Sequence, residues 1–146
     1  ELAKLAYGAN YDQVMEAPVT IALFTDTDLQ KRARKIARVG GVKNFTDEQL
    51  QYFMQNLPAE FARYDAQQTS DYLALNAGLV AMNLVLALTD QGIGTNIILG
   101  FDKSKINEVL DIEERFRPEV LITVGYAAEK VEPSYRLPVD EIIDKR

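Results

Sequence analysis

SDYLALNAGLVAMNLVLALTDQG, residues 70–92, decides the fold class. Ser70 has the character of a helix N-cap and Gly92 that of a helix stop, so Asp71 to Gln91 is expected to form one long helix. It is apolar almost all round. Such a helix either crosses a membrane or lies inside a protein. Asp71, Asn76 and Asn83 interrupt it and no basic cluster flanks it, which argues against a span. A central helix buried on most faces is the expectation. Ala74, Ala77, Gly78 and Ala81 form a stripe of small residues that permits close approach of a second helix. Asn76 and Asn83 stand one heptad apart. Their amides suit hydrogen bonds across a helix pair, or equally within their own chain.

Downstream, Gly94–Leu99 (GTNIIL) reads as a buried strand and Gly100-Phe101-Asp102 as the turn that ends it. Asp102 is a candidate N-cap for a helix over Lys103–Leu110, and Pro118 precedes a last strand, Val120–Gly125. Upstream, Glu1–Glu16 reads as a helix loosened at Gly8 and broken by Ala17-Pro18. Val19–Phe24 (VTIALF) is a buried-strand candidate. Leu29–Arg38 is helical and meets Gly40-Gly41. Thr46-Asp47-Glu48-Gln49 has the capping-box form, opening a helix to about Asn56, with Pro58 beyond its end.

Three short apolar strands are dispersed among the helices. The 146 residues contain no repeat and no linker, so 1–146 reads as a single domain. Sixteen Lys and Arg against 22 Asp and Glu give a net charge of −6, which argues against general nucleic-acid binding. With no Cys and no His, the chain has no thiol nucleophile, no Cys/His zinc site and no Ser–His–Asp triad. No signal peptide is visible and the absence of cysteine suits a reducing cytoplasm, the expected location.

The remaining chemistry candidates are few. Lys31, Arg34, Lys35 and Arg38 share one helix face opposite Ala33, Ile36 and Ala37; this is an anion patch or, as surface helices more often show, a solvated face. Tyr52 and Phe53 are core residues or a ligand platform. Gly92-Ile93-Gly94 follows a helix and lacks the third glycine of a dinucleotide fingerprint. The carboxylate pairs Asp26/Asp28 and Glu113/Glu114 read as solvated. The turn at Gly100 is better, because a glycine after a strand lets a ligand approach the backbone. Arg136, in a constrained stretch before Pro138, suits bidentate phosphate binding.

Taken in order, several segments resemble the FMN-dependent nitroreductase family. They are Gly8–Gln13 (GANYDQ) before Ala17–Ile21, Ala77–Leu84, Gly92–Asp102 (GIGTNIILGFD), and Val124–Ala127 leading to Pro133–Pro138 (PSYRLP). The resemblance runs from end to end of the chain, while the family's N-terminal part, with its Arg- and Ser-containing flavin motif, is not among these residues. It implies an α+β fold, an α-β-α sandwich with a mostly antiparallel sheet flanked by helices and a long central dimerisation helix. It implies FMN as cofactor, with Asn10 hydrogen-bonding the flavin ring and Gln13 where many members have a Lys at the pyrimidine edge. Ile97, Ile98, Leu99 and Gly100 would form the turn on one ring face, Leu99 standing where many relatives have an acid. Arg136 would bind the FMN phosphate, with Ser134 beside it. No catalytic side chain and no metal are implied. The implied activity is ping-pong reduction, NAD(P)H giving hydride to the flavin and a nitroaromatic or quinone-like acceptor removing it, in a homodimer without nucleic acid or membrane. Two alternatives remain: a flavin-binding relative without reductase turnover (dehalogenase-like or flavin-sequestering), and a cofactor-free helical dimerisation module.

Overall fold

The computed structural model describes residues 1–41, 45–128 and 135–144. Three antiparallel strands, β1 (Val19–Asp26), β2 (Gly94–Ile98) and β3 (Phe116–Gly125), form one sheet in the order β1-β3-β2. β3 lies between the other two, and Val120–Thr123 are all buried there. A strand covered on both faces reads as a continuous apolar run, which is why VLITV was legible. β3 starts earlier than its sequence suggested. Leu23 faces Val120 and Phe24 faces Pro118, so Glu119 is an extra residue in a β-bulge. A bulge is one of the few places a strand accepts a proline, which has no N–H to give the ladder.

Helices cover both faces. On one side Leu121 and Ile98 pack with Ala3, Leu5, Ala6, Val14, Phe101 and Ile106. Ala3 and Leu5 come from a 3₁₀ turn (Leu2–Leu5), Val14 from α1 (Asn10–Glu16) and Ile106 from α6 (Ile106–Val109), while Ala6 and Phe101 pair in an isolated antiparallel bridge. The expected first helix is thus two pieces, because Gly8 takes a left-handed φ of 57° that only glycine adopts freely. On the other side Val120 and Ile122 pack with Ala81 of α5 (Ala66–Asp90) and with Ile21, Leu23, Leu84 and Val85. The alternation of Val120, Leu121 and Ile122 between the two layers is the two-residue period of a strand.

α2 (Leu29–Gly41) runs through both glycines instead of stopping before them. α3 (Asp47–Gln51) opens with both reciprocal bonds of the capping box, Gln49 N–H to Thr46 and Thr46 N–H to Gln49. A π-helical turn over Tyr52–Asn56 then carries the chain into α4 (Leu57–Phe61), so Pro58 stands in the first turn of a new helix and not beyond the old one. There its missing N–H costs nothing. Tyr52 and Phe53 belong to an aromatic cluster, with Phe53 stacked on Phe45 at 5.2 Å between ring centroids. α7 (Val139–Ile142) is a single short turn.

α5 departs from expectation in two ways. It begins at Ala66, capped by Asp65 in a reciprocal box with Gln68, so Ser70 lies inside the helix. It is also not buried on most faces: only Leu73, Ala77 and Ala81 are. The small residues Ala77 and Ala81 serve its approach to its own sheet. Leu75, Leu79, Met82 and Leu86 form a stripe with spacings of four, three and four, and all stand exposed. By length and hydropathy alone α5 could cross a membrane. Asn76 donates to the Tyr72 carbonyl one turn back, so its amide is satisfied within the helix.

Candidate functional site

Strand alternation sorts the candidate residues at β2. Asn96, Ile98 and Gly100 share the parity that faces α1, while Ile97 and Leu99 face α5. Ile98 is core, 2% exposed, so its side chain is committed to packing. Ile97 and Leu99 are 44% and 67% exposed. They border a groove of about 370 Å³ whose other wall is the Ala74, Gly78 and Met82 side of α5, with Lys103 and Glu119 also in its lining.

On the other side, Asn10 and Gln13 lie one turn apart on α1 and both reach the β2 segment. Asn10 Nδ2 donates to the Gly100 carbonyl at 3.1 Å. The Tyr7 N–H donates to the same oxygen at 2.9 Å. Asn96 Nδ2 donates to Gln13 Oε1. A Cβ built on Gly100 would meet Asn10 Nδ2 at 2.9 Å, too close for two unbonded atoms. Glycine here leaves room for the asparagine amide lying over it, which a Cβ would displace. Asn96 was not among the candidates read from sequence; its place two residues before Ile98, on the α1 side, was the available signal.

The turn is held from below. Asp102 accepts from the Ser104 N–H at 3.0 Å and from the Ser104 hydroxyl at 2.6 Å, and pairs with Lys105 at 3.2 Å. The serine bonds, then the lysine, draw its carboxyl below the ordinary carboxylate value. Asp102 caps the turn ahead of α6 instead of a helix over Lys103–Leu110. The Asp102 N–H in turn donates to the Leu5 carbonyl at 2.8 Å.

α5 is positioned on the sheet by a second polar cluster that sequence reading missed. Arg117 donates to Ser70 Oγ at 2.9 Å, to the Ser70 carbonyl at 3.1 Å and to Glu119 at 2.7 Å. Thr25 donates to the same Glu119 oxygen. Glu119 is the bulge residue, so the irregularity that admits Pro118 also turns a carboxylate toward β1 and α5. Nothing in the local sequence marks this pairing, because Ser70 and Arg117 are 47 positions apart.

The structure thus sets Asn10 and Gln13 on the α1 side of the turn at Gly100, and Ile97 and Leu99 on its α5 side. Arg136 is not brought to them; its guanidinium donates only to the Tyr135 carbonyl, at 2.8 Å, among the described residues. Ser134 lies outside the described residues. Asp26 and Asp28 bind backbone N–H groups at the start of α2, a structural use.

Comparison with known proteins shows the family of the chain. The Nitroreductase family profile matches residues 3–126. The chain is 62% identical, over all 146 residues and 72% of the relative's length, to a Streptococcus pyogenes protein that carries the name NAD(P)H nitroreductase by inference. A crystal structure of a nitroreductase family protein from Streptococcus pneumoniae superposes with a TM-score of 0.95 at 84% identity, covering 99% of this chain and 72% of that one. A nitroreductase-type protein from Exiguobacterium sibiricum, solved in complex with FMN, is 28% identical with a TM-score of 0.89, covering 99% of this chain and 70% of that one.

Proposed function

From membership of the nitroreductase family of oxidoreductases, to which this chain belongs, we propose that it is an FMN-dependent NAD(P)H oxidoreductase acting on nitroaromatic or quinone-like acceptors. The observation that carries this reading is the β2 turn. It presents two exposed apolar side chains, Ile97 and Leu99, toward a groove, and an amide-lined edge, Asn10 and Gln13, on the other side.

These residues fit a flavin. A planar aromatic ring needs an apolar bed on its face and hydrogen-bonding groups at its heteroatom edge, and the turn has one of each. FMN when bound supplies the two-electron chemistry, so a chain without Cys or His is suited to the task. The protein's share is to hold and orient. Ile97 and Leu99 form the bed, Asn10 and Gln13 address the ring edge, and Gly100 keeps the backbone close. Arg136, and Ser134 with it, take the phosphate. Residues 1–146 work as one domain in this reading, in a cytoplasmic homodimer whose subunits meet along the exposed α5 stripe.

The test is optical. Purified protein with bound flavin absorbs near about 450 nm, the oxidised flavin band. Anaerobic NAD(P)H should bleach it, and a quinone or nitroaromatic should restore it. Colour without bleaching would select the flavin-binding relative that does not turn over. No colour, and no FMN uptake in titration, would leave the cofactor-free helical module.

A further inference from the structure

The Asn96–Gln13 bond joins two residues 83 positions apart, one on β2 and one on α1, at the rim of the turn. Gln13 has two chemically opposite ends, a carbonyl oxygen and an NH₂ group. Asn96 donates through Nδ2, so it engages the carbonyl end. The NH₂ end of Gln13 is then the end left over for a ligand. An amide free of such a partner can turn through half a rotation and offer either end.

Resting on the flavin reading of this site, we propose that Asn96 is a positioning residue that holds the Gln13 amide by its carbonyl end, so that its NH₂ end is offered as a hydrogen-bond donor to the ring edge of FMN. A donor at that edge favours the reduced ring, which gains negative charge, over the oxidised one. Asn96 itself makes no contact with the flavin; it acts through Gln13. Asn10 is locked by the parallel device, its amide donating to the Gly100 carbonyl, so both side chains that α1 offers to the site are oriented from the β2 segment.

The experiment is a double-mutant cycle read as the midpoint potential of the FMN-loaded protein. The forms are wild type, Asn96→Ala, Gln13→Leu and the pair. Asn96→Ala should weaken reduced FMN relative to oxidised by about tenfold, a fall of about 30 mV for a two-electron couple. Gln13→Leu should do the same or more. In the Gln13→Leu background, Asn96→Ala should change nothing further, since the amide it orients is gone. Asn96→Gln, which keeps the donor, should restore most of the wild-type potential. Asn96 is an exposed strand residue, and thermal melts would confirm that each variant folds. An unchanged potential in FMN-loaded Asn96→Ala overturns the proposal alone. So does an equal fall with and without Gln13, which would be a merely structural effect. Failure of the wild-type protein to bind FMN overturns the proposal together with the site reading beneath it.

Discussion

Gly100 shows how one residue's identity follows from its neighbour. The Asn10 amide lies where a Cβ would stand and bonds the carbonyl of the same glycine. Gly100→Ala should push that amide off the turn and cost the site one oriented hydrogen bond. At about 1 kcal/mol this weakens FMN binding about fivefold, measured by titration of the apoprotein. The fold should persist, because the displaced atom is the end of a flexible side chain; a large fall in melting temperature would show instead that the turn is a core element. Asp102 is the other residue of consequence. Its carboxyl is held below the ordinary value, first by Ser104 and then by Lys105. A depressed folded-state pKa means the stabilisation is full above the unfolded value, near about 4, and lost as pH falls through the folded one. Wild type should therefore exceed Asp102→Asn in melting temperature at neutral pH. The gap should close below about pH 4; a gap constant from pH 7 to 3 would assign the effect to something other than the charge.

At the scale of elements, the strands were the most legible part. β3 appears where a short apolar run ends in a glycine, because burial on both faces leaves no polar position to obscure the pattern, whereas β2, expected to be buried, has only Ile98 buried and was marked by its bounding glycines. The Thr46 box and the Gly92 stop were legible for a related reason, since caps are local chemistry. Misreadings arose where one local signal outcompeted another or where distant residues decided. Ser70 resembled a cap, yet Asp65 with Gln68 has the same reciprocal form with Asp in place of Ser or Thr. Pro58 resembled a stop, and a π-turn reset the register so that it could sit in a first turn. At the site, GTNIILGFD announced the turn, but the pairing of Asn96 with Gln13 and of Arg117 with Ser70 depends on tertiary placement and leaves no periodicity to read. The largest correction concerns α5. Ala77 and Ala81 pack inward, and the Leu75, Leu79, Met82 and Leu86 stripe faces out with the spacing of a helix-pair seam. If a second copy covers that seam, Leu79→Asp should raise the dimer dissociation constant about 100-fold or more. Each leucine withdrawn from water contributes at least about 1.5 kcal/mol and a two-fold pair counts it twice. Gly78→Leu is a second probe: a Cβ there meets nothing within 4 Å in its own chain, so a lost dimer would report a partner. Light scattering at micromolar concentration decides both, and a wild-type monomer would refute the seam.

For the whole molecule the question is how a protein of net charge −6 holds a phosphate. Its overall field repels a dianion, so affinity must come from local cations with unspent donors. Arg136 meets that description. Among the described residues its guanidinium bonds only the Tyr135 carbonyl and pairs with no acid, Asp140 included. It is also exposed and set in a short segment between Tyr135 and Pro138. The phosphate reading requires the ligand to reach both the turn and Arg136, within one subunit or across two. A charge-assisted bond of this kind contributes roughly 1.5–3 kcal/mol. Arg136→Ala should accordingly weaken FMN binding by about 10- to 150-fold. Riboflavin has the same ring and no phosphate, so its affinity for wild type and mutant should be nearly equal. Raising the salt concentration should weaken FMN binding to wild type more than to the mutant, since screening acts on the charge that the mutant lacks. Equal losses of FMN and riboflavin in Arg136→Ala would mean that the residue supports the fold around the ring, and the phosphate assignment would fall.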